Sequence, residues 1–156
     1  MNLEIKWHHP ITLEDGDDEN LIYSIEEIQE WEDVPAVYMF CRNYGGSLVP
    51  LYIGRSKNVG QRITQHFNTT KMMKSIQKSP KGEKVLVIGE FIPKPGQSID
   101  TSLKVIEKTL IEHALTEGYE LINKSGTKTP VHTLSFSGYK VAKDFSGPKM
   151  YAKSKR

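Results

Sequence analysis

Cysteine occurs once, at Cys41. A lone thiol excludes an intramolecular disulfide and any zinc site built from several thiolates. Its place in a strand-like stretch reads as a small buried hydrophobe. Long apolar runs are also missing. Nothing approaches the ~18 consecutive residues that a membrane-spanning helix needs. The first ten residues have neither a long apolar core nor a small-residue cleavage pattern, so no signal peptide is expected. The expectation is an intracellular, cytoplasmic protein with no membrane association. There is no internal repeat, zinc finger or helix-turn-helix pattern. At 156 residues, with 37% hydrophobic and 26% charged residues, the chain suffices for one globular domain plus extensions.

Basic residues are nearly absent from the N-terminal fifth. Residues 1–33 hold eleven acids and one base, residues 34–123 twelve bases and seven acids, and residues 124–156 eight bases and one acid. The formal net charge of +2 hides this polarity. It implies a basic working surface with an acidic appendage, or more plainly a solvated acidic arm and a loose basic tail.

Residues 14–20 are too charged to bury and are expected as a loop or disordered segment. Ile22, Ile25, Ile28 and Trp31 fall at near-helical spacing, with Ser24 as a cap, Glu27 as its capping-box partner and Pro35 as the stop. Residues 36–40 and 48–53 are strand candidates. Between them, Asn43-Tyr44-Gly45-Gly46 tolerates the positive φ that a tight hairpin needs. Gly54 is expected to end the second strand and turn the backbone sharply. Ser56 or Asn58 then caps a helix whose Val59, Ile63 and Phe67 face the sheet, with Arg62 and His66 on a neighbouring face. Residues 71–84 are lysine-rich around Met72, Met73 and Ile76, with a loop at Pro80-Lys81-Gly82. Residues 85–92 are a β-branched strand, stopped by Pro93-Lys94-Pro95-Gly96. Residues 98–118 read as a loop and a helix with an apolar stripe of Leu103, Ile106, Leu110, Ile111 and Ala114, C-capped by Gly118. A turn-rich linker at 125–130 leads to a short, polar, basic tail. The order strand, strand, helix, strand, helix, tail predicts a small α/β fold with a mostly antiparallel, three-stranded sheet flanked by helices.

Glu107 falls inside the apolar stripe of the last helix. A carboxylate there costs several kcal/mol unless it is paired or binds a metal; burial against an Arg or Lys and metal binding are equally good readings of that position. Arg62, eight residues after Gly54, can grip a phosphate with its planar fork, though a single arginine is by default a surface residue. His66 lies one helical turn later. Tyr38 and Tyr52 stand on adjacent strands, where an aromatic pair often does no more than support a sheet. A free phenol has a pKa of about 10, so only ~0.1% is phenolate at neutral pH; Arg55, Lys57 or a metal would have to lower it for base catalysis.

Taken together, Tyr52-Ile53-Gly54, Ser56, Asn58, Arg62, Glu107-Lys108-Thr109-Leu110-Ile111 and Asn123 resemble the GIY-YIG nuclease family. The first motif reads Ala36-Val37-Tyr38, with Ala-Val in place of Gly-Ile and the tyrosine retained. The eleven residues from Cys41 to Leu51 predict a hairpin longer than the minimal family core. The resemblance spans residues 34–125 as a β-β-α-β-α catalytic domain, between an acidic extension (1–33) and a basic one (126–156). It implies catalytic roles for Tyr38, Tyr52, Arg62, His66 and Glu107. Glu107 would hold one Mg²⁺ or Mn²⁺ per active site, Gly54 and Asn123 would support the site, and the first tyrosine would activate or orient the attacking water.

Nucleic-acid contacts are expected from Arg55, Lys57, Lys71, Lys74 and Lys78, continued by Lys81 and Lys84. A second basic stretch runs from Lys140 to Arg156, where Tyr139, Phe145 and Tyr151 would stack on bases or anchor the tail. The first hypothesis is a metal-dependent endonuclease cutting DNA. Its competitors are a nuclease on branched or RNA substrates, a non-catalytic nucleic-acid-binding module, and a plain α/β domain. A homodimer, or a protein partner engaged through the acidic extension, is a further expectation.

Overall fold

In the computed structural model, which describes residues 2–18, 21–25, 28–123 and 131–153, the chain opens with four short strands. They are β1 (Glu4–Trp7), β2 (Ile11–Thr12), β3 (Glu14–Asp18) and β4 (Leu21–Ser24), followed by a 3₁₀ turn (Ile28–Trp31). The central part is β5 (Ala36–Tyr44), β6 (Ser47–Ser56), α1 (Val59–Phe67), α2 (Thr70–Lys78), β7 (Glu83–Ile92) and α3 (Ile99–Thr116). The C-terminal part is β8 (Val131–Ser135), α4 (Lys140–Ser146) and β9 (Lys149–Lys153).

The main sheet is antiparallel and five-stranded rather than three-stranded, in the order β1-β7-β5-β6, with β2 also on β7. The expected strands β5, β6 and β7 are all present, β7 and β5 in the interior and β6 at one edge. The two extra strands come from the N-terminal segment. β7 is buried along most of its length, and β1 and β2 supply the hydrogen-bonding partners that its outer edge would otherwise lack. β5 and β6 form the long hairpin expected from the spacing, turning at Gly45 and Gly46 with φ of 60° and 81°.

Because β5 alternates, it buries both faces. Ala36, Tyr38 and Phe40 meet α1 and α2 through Val59, Ile63, Phe67, Met73 and Ile76. On the opposite face Val37 meets Leu103 and Ile106 of α3, while Ile53 of β6 meets Ile111 and Ala114. Asn58 caps α1, its Oδ1 accepting from Gln61 N–H at 3.1 Å. Gly118, at φ 88°, ends α3 as its sequence implied. Cys41 is buried on β5, and burial pushes its thiol up to about 12.

Three expectations need correction. Residues 14–18 are not a loop: β3 pairs with β4, since Leu13 and Tyr23 bury their side chains in the α1/α2 core and hold the acidic backbone between them. Ser24 lies in a strand, and the helix expected after it shrinks to one 3₁₀ turn; Glu27 lies outside the described residues. The basic tail is not featureless, because β8 and β9 pair with α4 between them. The linker at 125–130, Lys155 and Arg156 lie outside the described residues.

Candidate active site

β6 is an edge strand, and α1 and α3 cover opposite faces of the sheet beside it. Side chains from both faces therefore meet where β6 runs out. They line an open cleft of about 330 Å³, which brings together Tyr38, Tyr52, Gly54, Arg55, Lys57, Arg62 and Glu107. Helix α3 lies across the sheet from Tyr38 and Arg62, yet Glu107 reaches the same cleft around this edge.

Gly54 makes the convergence possible, by a different route from the one its sequence suggested. It does not end the strand, which continues to Ser56. It sits directly opposite Tyr38 in the β5–β6 register, and a Cβ there would fall 2.5 Å from Cζ of Tyr38. The missing side chain is the space into which the phenol lies. Tyr52 is displaced by two residues along β6 and stacks on Tyr38, with ring centroids 6.3 Å apart.

Tyr38 is almost wholly buried, and its hydroxyl meets Nε2 of His66 at 2.6 Å. Burial raises the Tyr38 pKa well above that of a free phenol, reinforced by neighbouring Tyr52 and Glu107, while the charge and hydrogen bond of Arg62 pull the other way. Burial, and then the Arg62 charge, lower His66 to about 4. At neutral pH the pair is a protonated phenol against an uncharged imidazole. His66 does not line the cleft but stands behind Tyr38.

Glu107 is half-buried and pairs with Arg55, Nη1 to Oε1 at 2.7 Å. The Arg partner foreseen for a carboxylate on that stripe is thus present, in a cleft rather than in a core. Lys57 faces Asp100 at 3.8 Å across the same rim. Asp100, which was not singled out from the sequence, lines the cleft, as does Leu103, which the sequence marked only as part of the apolar stripe. The signal for Asp100 was its seven-residue spacing from Glu107, two helical turns on one face.

Asn123 acts on the edge strand. The Ile53 N–H donates to Asn123 Oδ1 at 3.0 Å, and Asn123 Nδ2 donates back to the Ile53 carbonyl at 2.6 Å. With Ile122 N–H on the Leu51 carbonyl at 2.7 Å, the chain after α3 is strapped to β6 at Leu51 and Ile53, on either side of Tyr52. Lys71 lines a neighbouring cavity, whereas Lys74 and Lys78 project from α2 into solvent and line neither space. Tyr139 and Phe145 are strongly exposed, so neither anchors the tail.

Residues 34–120, more than half of the chain, match the family model of the GIY-YIG catalytic domain. The chain belongs to the GIY-YIG family. No curated protein and no solved structure matches it. GIY-YIG domains are those of nucleases and endonucleases, which are generally metal-dependent and act on DNA. Among the described residues no helix is long and apolar enough to cross a membrane. Nor do they hold a group of three or more His, Cys, Asp or Glu side chains able to close around a metal. The GIY-YIG cleft offers one half-buried carboxylate in an open space with Asp100 at its rim. That donor set fits a hard cation which keeps most of its shell as water and phosphate oxygens.

Proposed function

We propose that this protein is a metal-dependent endonuclease that hydrolyses phosphodiester bonds of DNA. The observation carrying this reading is the single cleft shared by Tyr38, Tyr52, Arg62 and Glu107, residues drawn from four elements on two faces of the sheet. Arg62 stabilises the non-bridging oxygens of the phosphate as charge builds on them. Arg55 and Lys57 hold the approaching backbone, and Glu107 holds one Mg²⁺ or Mn²⁺. The bound ion supplies neutralisation of a phosphate oxygen and of the leaving 3′ oxygen. Tyr38, kept protonated by burial, orients the attacking water: its oxygen accepts from the water while its O–H donates to uncharged His66. Tyr52 stacks against Tyr38 and keeps the phenol in place.

Plasmid nicking with Mg²⁺ tests this. Arg62→Ala is expected to lose about 10²–10³-fold in rate, the loss typical of a removed oxyanion donor. Glu107→Ala is expected to abolish nicking, and Tyr38→Phe to slow it severely. Equal cleavage by Glu107→Ala and the parent chain would remove the proposed metal ligand. The Arg55–Glu107 ion pair supports one second reading, a module that binds DNA without cutting it because its carboxylate is already neutralised. Mg²⁺-dependent nicking by the parent chain separates the two.

A further inference from the structure

A second cavity, of about 360 Å³, lies directly behind the cleft wall. Tyr52 and Arg62 line both spaces, so the two are neighbours across a partition one side chain thick. The second cavity is more apolar than the cleft. Tyr52, Met72 and Ile122, each half-buried, supply its non-polar surface. Thr69 and Ser75 supply hydroxyls, and exposed Lys71 stands at the rim. Among the described residues no carboxylate lines it. Its walls are fixed: Tyr52 packs on His66 with centroids 5.2 Å apart, and Ile122 is held to β6 by its backbone hydrogen bond.

An aromatic face, an apolar floor, a few hydroxyls and a cation at the mouth suit a nucleobase still joined to its phosphate. The occupant follows from the partition. A strand whose phosphate is held by Arg62 has its neighbouring nucleotide beside the Tyr52–Arg62 wall, and a base stacked within a duplex cannot enter. We infer that this cavity is a base subsite, which takes one unstacked nucleobase next to the cleaved phosphate. The inference rests on the DNA-nuclease reading above and sharpens it: preferred substrates have an unpaired nucleotide at the cut, as in a flap, bulge or strand end, or a base that leaves its stack on binding.

The test is fluorescence anisotropy with the full chain carrying Glu107→Gln, so that bound strands stay intact. The probe is a fluorescein-labelled duplex with one unpaired nucleotide, compared with duplexes made abasic at that position or at either neighbour. One abasic position is expected to weaken binding about tenfold, the scale of one stacked base. Adding Ser75→Trp, which fills the cavity, is expected to erase that difference. Adding Lys71→Ala, at an exposed position, should weaken all probes alike and flatten their salt dependence. Circular dichroism checks that each variant is folded. Equal affinity for base-containing and abasic probes in the parent overturns the subsite while leaving the nuclease reading intact, as does selectivity that survives in folded Ser75→Trp. No anisotropy change with any probe overturns the DNA reading and the subsite with it.

Discussion

A methyl group added to Gly54 would collide with the Tyr38 ring, and neither the strand nor the buried phenol can easily yield. Gly54→Ala is expected to cost about 1–3 kcal/mol, the usual range for overpacking, read by urea denaturation, and to slow nicking through displacement of Tyr38. A second residue-scale prediction concerns Arg55, whose guanidinium occupies the Glu107 carboxylate proposed to hold the divalent ion. Arg55→Ala is expected to bind Mn²⁺ several-fold more tightly than the parent when DNA is absent, by titration calorimetry, while binding DNA less well. Unchanged Mn²⁺ affinity would show that the two cations do not compete. His66 sets a pH dependence. Its pKa falls from 6.5 to about 4 on folding, so between those values the unfolded chain binds more protons than the native one. Stability is full above pH 6.5 and is lost as pH falls toward 4, by roughly 3 kcal/mol in all. Thermal melts at pH 7, 5.5 and 4 should show this decline, and His66→Phe should flatten it. Nicking by the folded chain should hold through that window and fade only as pH approaches 4, where Nε2 is protonated and ceases to accept from Tyr38.

Asn123 carries the prediction at the scale of elements. Its amide makes both hydrogen bonds that a neighbouring strand would make to Ile53. Asn123→Ala should cost about 2 kcal/mol by urea denaturation, at about 1 kcal/mol per hydrogen bond. Asn123→Asp should be no better, because a carboxylate would face the Ile53 carbonyl where the amide now donates. The elements legible in the sequence, β5, β6, β7, α1 and α3, carry long periodic patterns or clear caps, such as Asn58 and Gly118. The elements not foreseen are those whose existence depends on partners distant in the chain. β1 and β2 are too short to show alternation and form because β7 has a free edge. The strands of the β3–β4 hairpin are set by two buried residues, Leu13 just before β3 and Tyr23 within β4, beneath an excess of acids. α2 shows only Met73 and Ile76 fully buried, against three lysines. The site was legible as a set of residue types at family spacing. Its ion pair and the packing role of Gly54 were not, because each depends on which atoms touch across the β6 edge.

For the molecule as a whole, charge is the governing quantity. Binding dominated by lysine and arginine contacts to phosphates should weaken steeply with salt, as a linear plot of log affinity against log salt. The β3–β4 hairpin packs by β4 against α1 and α2, which places an acidic element next to the helix bearing Lys71, Lys74 and Lys78. Deleting residues 1–33 would also strip β1 and β2 from the sheet, so truncation confounds folding with charge. Glu14→Gln combined with Asp15→Asn changes charge alone at two exposed positions. If the hairpin screens the basic face, this variant should bind DNA a few-fold more tightly at low salt and no differently at high salt; unchanged affinity at both would exclude screening. The strap at Asn123 has a consequence beyond catalysis. A foreign chain that tries to add itself along the middle of β6 meets an amide already posing as its backbone, with the Ile122 N–H beside it, and would have to evict both first, so that margin is guarded against fibril growth.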